Sequence, residues 1–336
     1  NDSPTDGTYA ADVTIDGGTT NLIIGASTID GDLTLLSGGT ITDTDSSTVT
    51  VKGALSATTD AGSSAITLND LAVDGSFTLA PNGTGTVTIV NDVGLNLAAS
   101  TMGGTFSGTA TTGDISDSGN LAITGAATFI TTAANRHIIL DESDSVFAST
   151  VTMQAGDGSN AAFGNITFVD SAAVRLHSSA ASAGDLYINA STDLAVGGNL
   201  NITATTGNIT QGAAVTVTGT SSFTTLATDA DITLSSANAL GGAVTLTTAG
   251  SGGNATLNNG TTALDIAAST VRGNLTLTSG HATGITDSGT VTVGGNLIAT
   301  NDVSNGDINM GCLAVDGTIA LTTSGSGGDV TLVNDE

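Results

Sequence analysis

Three short acidic groups, Asp141-Glu-Ser-Asp144, Asp43-Thr-Asp45 and Asp229-Ala-Asp231, are the residues of this sequence best placed to do chemistry. Each sets carboxylates close together, and Ca²⁺ takes about six to eight oxygen ligands, so weakly bound Ca²⁺ is the cofactor they suggest. The Gly-Gly-x-Gly-x-Asp nonapeptide of calcium-binding β-rolls does not recur, and the clusters are not repeated along the chain. They therefore read first as solvated acidic turns. His137, His177 and His281 are far apart, and none belongs to a ligand-spaced pair, so each reads as a surface or turn residue. Cys312 is the only cysteine, which excludes an intrachain disulfide.

Catalysis fails on the inventory. A β-helix that cleaves polysaccharides needs clustered carboxylates with Arg or Lys beside them to stabilise developing charge. The basic residues here are Lys52, Arg136, Arg175 and Arg272, scattered along the chain. No Gly-x-Ser-x-Gly, phosphate loop or zinc spacing is present, and Gly250-Ser-Gly-Gly253 is turn material with no helix after it. No catalytic, cofactor-binding or metal-ligating residue is assigned, and the chain is not expected to be an enzyme.

The elements that carry these residues repeat. Residues 12–92 return at 254–335 with an offset of 242: Leu71-Ala-Val-Asp-Gly75 reappears as Leu313-Ala-Val-Asp-Gly317, and Val90-Asn-Asp92 as Val333-Asn-Asp335. By that alignment the counterpart of Cys312 is Asp70, so no repeated chemistry depends on the thiol. A shorter offset of 94 carries Gly103-Gly104 onto Gly197-Gly198 and Phe129 onto Phe223. Below both lies a loose unit of about 20 residues, two short strands with a Gly turn between them, which is one coil of a solenoid.

Within the unit, Thr48-Val-Thr-Val51, Thr86-Val-Thr-Ile89, Ala214-Val-Thr-Val217 and Asn274-Leu-Thr-Leu277 alternate apolar residues with Thr. Side chains of a strand point alternately to its two faces, so Val, Ile and Leu go inward and Thr outward. Strands this short need stacking, each coil pairing with its neighbours at about 4.8 Å. Roughly 17 coils and a rod about 80 Å long follow. Gly at Asp16-Gly17, Asp74-Gly75 and Gly294-Gly295 turns the corners. Asn or Asp after such turns, at Asp32, Asp185, Asn199, Asn274 and Asn296, can form ladders along the axis.

Composition agrees. Aromatic residues are 3% and Trp is absent, which a thin core of aligned aliphatics tolerates. Helix formers are scarce and β-branched residues abundant. The net charge of −27 excludes a basic nucleic-acid binder and attachment to anionic membranes, and no apolar run is long enough to span a bilayer. An acidic surface also suits a saline habitat. Thr-x-Thr pairs at Thr48/Thr50, Thr276/Thr278 and Thr290/Thr292 resemble ice-binding arrays, but outward positions drift to Asn, Ala, Ser and Asp. Asn-x-Ser/Thr sequons at Asn82, Asn165, Asn189, Asn201, Asn208, Asn254, Asn259 and Asn274 are expected by chance in so Asn- and Thr-rich a chain.

The grammar of Gly197-Gly-Asn-Leu-Asn-Ile-Thr-Ala204 and Gly273-Asn-Leu-Thr-Leu-Thr-Ser-Gly280 resembles the repeat regions of filamentous-haemagglutinin-like surface proteins. The resemblance implies an all-β, elongated right-handed parallel β-helix exported to the bacterial surface. The expected organisation is one solenoid over 12–336, with 1–11 as a cap or docking strand. The expected role is structural and extracellular: a filament, surface adhesin or surface layer assembling end to end with itself, or with neighbouring repeats of a longer chain. A glycan-binding or glycan-processing β-helix is the alternative, with surface glycans as partners. An array of separate small β-sandwiches is the alternative fold.

Overall fold

In this computed structural model every described element is a β-strand, and no helix occurs among the described residues. The structure describes residues 11–44, 47–149, 151–156, 164–171, 174–176, 185–188, 194–196 and 198–335. The chain divides into two compact units, 1–164 and 165–336, each a parallel β-solenoid.

In the first unit one ladder runs through Val13–Asp16, Leu33–Ser37, Leu55–Thr59, Ser76–Ala80, Leu95–Leu97, Ile115–Asp117 and Ile138–Leu140, every pairing parallel. A second ladder runs through Leu22–Ile24, Ile41–Asp43, Ile66–Val73, Val87–Asn91, Phe106–Ala110, Ala127–Thr131 and Val151–Gln154. A short third face, Ser100–Met102, Leu121–Ile123 and Val146–Phe147, joins from the fifth coil onward. Parallel partners are joined by a whole turn of chain, which is what the Gly corners permit and a hairpin does not.

The register gives the coil length. Val13 pairs with Leu33, Leu33 with Leu55, Leu55 with Phe77 and Ile115 with Ile138, steps of 20, 22, 22 and 23 residues. In the second unit Ile166 pairs with Leu200, a step of 34, and Ser221 with Val244, a step of 23. The coil is thus longer than the expected 20 residues, because the outward turns carry extra residues. The chain makes correspondingly fewer turns than the roughly 17 expected from sequence.

The core is made of files of inward residues. Ile41, Ile66, Val87, Phe106, Ala127 and Val151 succeed one another in register, each 0–2% exposed. In the second unit Ile209, Ile232, Ala255, Leu275 and Leu297 do the same. Each such side chain contributes about 1.5–3 kcal/mol on burial. The few aromatics that the sequence has are nonetheless placed largely in this core. Phe77, Phe106, Phe129, Phe147, Phe168 and Phe223 are all buried, and the Phe106 and Phe129 rings meet at 5.1 Å between centroids. Their bulk is accommodated by small neighbours. Gly108 lies between Ile89 and Phe129 in its file, and a Cβ there would stand 2.7 Å from Phe106 Cζ and 2.8 Å from Leu95 Cδ2.

Candidate functional site

The polar groups of this fold gather at the corners of the coils, and most of them serve the backbone of the next coil. In the second unit Asn208 Oδ1 accepts the Asp231 N–H, Asp231 Oδ1 the Asn254 N–H, Asn254 Oδ1 the Asn274 N–H and Asn274 Oδ1 the Asn296 N–H, at 2.7–2.9 Å. Asn296 Oδ1 continues the ladder to the Thr318 N–H and hydroxyl. The expected Asn ladder is therefore present, with one difference: the recurring acceptance is side chain to backbone, with amide-to-side-chain bonds added only from Asn254 to Asp231 and Asn274 to Asn254. That is why Asp is tolerated in it. A carboxylate oxygen accepts an N–H as well as an amide oxygen does. In the first unit Asp12 accepts from Asp32 and Asp32 from Ala54. Asn199 accepts the Thr220 N–H, while Asp185's side chain lies outside the described residues.

Inside the corners sit buried amides. Asn91 is fully buried; its Oδ1 accepts the Val73 N–H at 2.8 Å, and its Nδ2 donates to the carbonyls of Val73 and Gly94. Asn259 treats Leu240 in the same way, and Asn334 treats Val315. Where a strand bends, its backbone loses ladder partners, and these amides supply both a donor and an acceptor. Sequence reasoning missed them. The Val-Asn-Asp repeat at 90–92 and 333–335 was the signal that could have found Asn91 and Asn334.

Asp141, Asp144 and Asp229 are exposed at or beside turns, as solvated acidic groups are, and Asp43 differs. Asp43 is buried, and its Oδ2 accepts the N–H groups of Asn69 and Asp70, both at 2.8 Å. Asp287 accepts the Gly311 N–H at Oδ1 and the Cys312 N–H at Oδ2, so exposed Cys312 stands where its counterpart Asp70 stands. Burial raises the Asp43 carboxyl above its ordinary value, partly offset by those two N–H groups. Asp229 Oδ1 accepts from Ser251 and Gly252, which makes the Gly250-Ser-Gly-Gly253 turn a partner of the preceding coil. Asp45 lies outside the described residues. Asp141 donates its N–H to Asp117, a carboxyl that sequence reasoning did not single out. Burial, reinforced by the charges of Asp141 and Glu142, pushes Asp117 up to about 6 against the opposing backbone N–H groups of Asp141 and Glu142. Among the described residues no three His, Cys, Asp or Glu side chains converge as a metal would require.

The other singled-out residues are not brought together. His137 donates its backbone N–H to Asp114, and His281 Nδ1 accepts the Thr283 N–H in a turn. His177 lies outside the described residues, as does the side chain of Arg175. Lys52 pairs with Asp74 at 3.1 Å, both about half exposed. A small groove of about 170 Å³ has Asp74, Asn96, Asp114 and Ser116 in its walls and no basic side chain. Outward Thr residues align more regularly than the Thr-x-Thr pairs suggested. Thr42, Thr67, Thr88, Ser107, Thr128 and Thr152 stand in one unbroken file. In the second unit the file Thr233, Thr256, Thr276 ends at Ile298.

A family model described as repeats of unknown function matches residues 10–80, 84–154, 180–247 and 252–309. The first and last matches begin 242 residues apart, the offset at which the sequence repeats. No curated protein and no solved structure matches the chain.

Proposed function

Since the chain belongs to DUF5649, the family of repeats of unknown function, we propose that its activity is the stack itself: a structural, non-enzymatic solenoid that extends by adding coils end to end. One observation carries this reading. Val87-Thr-Ile-Val-Asn-Asp92 and Val330-Thr-Leu-Val-Asn-Asp335 are copies. Val87 is 1% exposed under the Phe106–Ala110 strand, whereas Val330 is 46% exposed. At the other end of the repeat the same contrast holds: Val13, Ile15 and Leu22 are half-buried, and their counterparts Ala255, Leu257 and Leu264 are buried. At both places the strands are parallel with inward apolar residues, a surface that a further coil, of this polypeptide or of another copy, completes by strand addition.

The acidic surface opposes lateral approach and leaves the axial direction. The resemblance to filamentous-haemagglutinin-like repeats supports a place outside the cell, as a surface fibre or adhesin. It also supports a right-handed coil, the hand that parallel crossovers take in about 98% of cases. Residues 1–10, the suggested docking segment, lie outside the described residues. Sedimentation velocity over a concentration series tests the assembly: species growing with concentration in the wild type and absent in Val330→Asp support it. A chain that stays monodisperse instead assigns the Val330 edge to further coils of a longer polypeptide. Turnover of a polysaccharide by purified protein would refute the non-enzymatic reading.

The Thr42–Thr152 file favours a second reading, a glycan-binding face. Six hydroxyls repeat at strand spacing, about 4.8 Å, along one surface. Retention on an insoluble polysaccharide, lost on Thr88→Val with Thr128→Val, distinguishes it.

A further inference from the structure

Asp117 and Gln211 hold corresponding places, 94 residues apart, at the end of a short strand in each unit. Gln211 is fully used: its Oε1 accepts the Ser236 N–H at 3.0 Å, and its Nε2 donates to Ala213 O at 2.7 Å and Asn238 Oδ1 at 2.8 Å. Asp117 meets only half of that pattern. Its Oδ1 accepts the Asp141 N–H at 2.9 Å, while the Glu142 N–H, the counterpart of the Ser236 N–H, also acts on the carboxyl. Its Oδ2 is shut from solvent and has no hydrogen-bond partner, in a residue only 9% exposed. A buried polar atom without a partner costs about 1–3 kcal/mol, more when charged. The site in the second unit wants one acceptor and one donor, and an ionised carboxylate has no donor to give.

We propose that Asp117 is a proton-binding position, its neutral acid taking the part that the Gln211 amide takes in the second unit, so that the coils it joins tighten on protonation and loosen on ionisation. Burial and the charges around it favour the neutral form and outweigh the Asp141 and Glu142 N–H groups, which favour the ionised one. Asp141 and Glu142, in the turn of the following coil, add negative charge. From the preceding coil it faces Leu97, its uncharged partner in the ladder. Asp114 and His137, at the start of the same rung, are joined to each other through the His137 N–H. No cation is needed to explain the arrangement, since a proton removes the charge and turns Oδ2 into a donor.

The sign follows from linkage. A carboxyl whose folded value stands above its unfolded one contributes stability that is full below about pH 4 and is lost as pH rises through about 6. The separation between about 4 and about 6 corresponds to about a hundredfold in the folding equilibrium of the coils around Asp117. Hydrogen exchange of the full chain, read at segments 115–142 and 209–238 at pH 5 and pH 7.5 after correction for intrinsic rates, tests this. Wild type should be better protected over 115–142 at pH 5, Asp117→Asn should remove the difference, and Gln211→Glu should create one over 209–238. An unchanged pH difference in Asp117→Asn, or equal loosening at both pH values, overturns the proposal. If Asp117→Asn fails to fold, the carboxyl titration of Asp117 by NMR in the wild type decides: a midpoint near 6 supports it and one near 4 overturns it. Protection restored at pH 7.5 by Ca²⁺ in wild type, but not in the variant, would make this a metal site and also overturn it.

Discussion

Val87 and Val330 occupy one position of the repeat, pairing with Ile66 and Ile308 in the same register, yet Val330 is 46% exposed where Val87 is 1% exposed. The difference is the next coil: Phe106 stands over Val87 in the ladder. The same sequence thus has two environments, and the contrast isolates the contribution of a covering coil from that of the residue.

A charge at each place should therefore act in opposite ways. Val87→Asp puts an unpaired carboxylate in the core and should cost the first unit about 3–5 kcal/mol, read by urea unfolding. Val330→Asp should change stability by less than about 1 kcal/mol and act on association alone.

Asn91 should be less replaceable than its size suggests. Asn91→Ala leaves the Val73 N–H and C=O without the partners that now hold them, at a cost of about 2–3 kcal/mol. Asn91→Asp keeps the acceptor and loses the donor, so it should fall between the two and improve as the pH is lowered. Chemical denaturation at pH 5 and pH 8 measures both.

Gly108 is fixed by packing, since its φ is not in the left-handed region and its missing Cβ is the space beside the Phe106 ring. Gly108→Ala should cost about 1–3 kcal/mol by overpacking. Phe106→Leu should recover part of that loss, and a double-mutant cycle of thermal melts would show the coupling.

How far the sequence reached follows from which physics it exposes. Alternation in Thr86-Val-Thr-Ile89 marks one inward and one outward face, so strand, core face and parallel stacking were all legible. Coil length was read short because turns such as Gly62-Ser-Ser-Ala65 carry no periodic signal and vary freely outside the core. The Asn208–Asn296 ladder was legible as a recurring residue type at corners. Asp43 was misread because its two donors, at Asn69 and Asp70, lie a whole coil away in sequence. The file from Thr42 to Thr152 was hidden for the same reason: its members are neighbours only across coils.

The central claim is the proposal that coils of this kind stack end to end between copies, with the strand at Val330–Asn334 as the joining edge. Negative-stain electron microscopy of the purified chain tests it most directly, with wild type and Val330→Asp compared over the same concentrations. The account predicts filaments of wild type that lengthen with concentration and are lost in the variant. Single particles of unchanged length at every concentration, the same for both proteins, would contradict it.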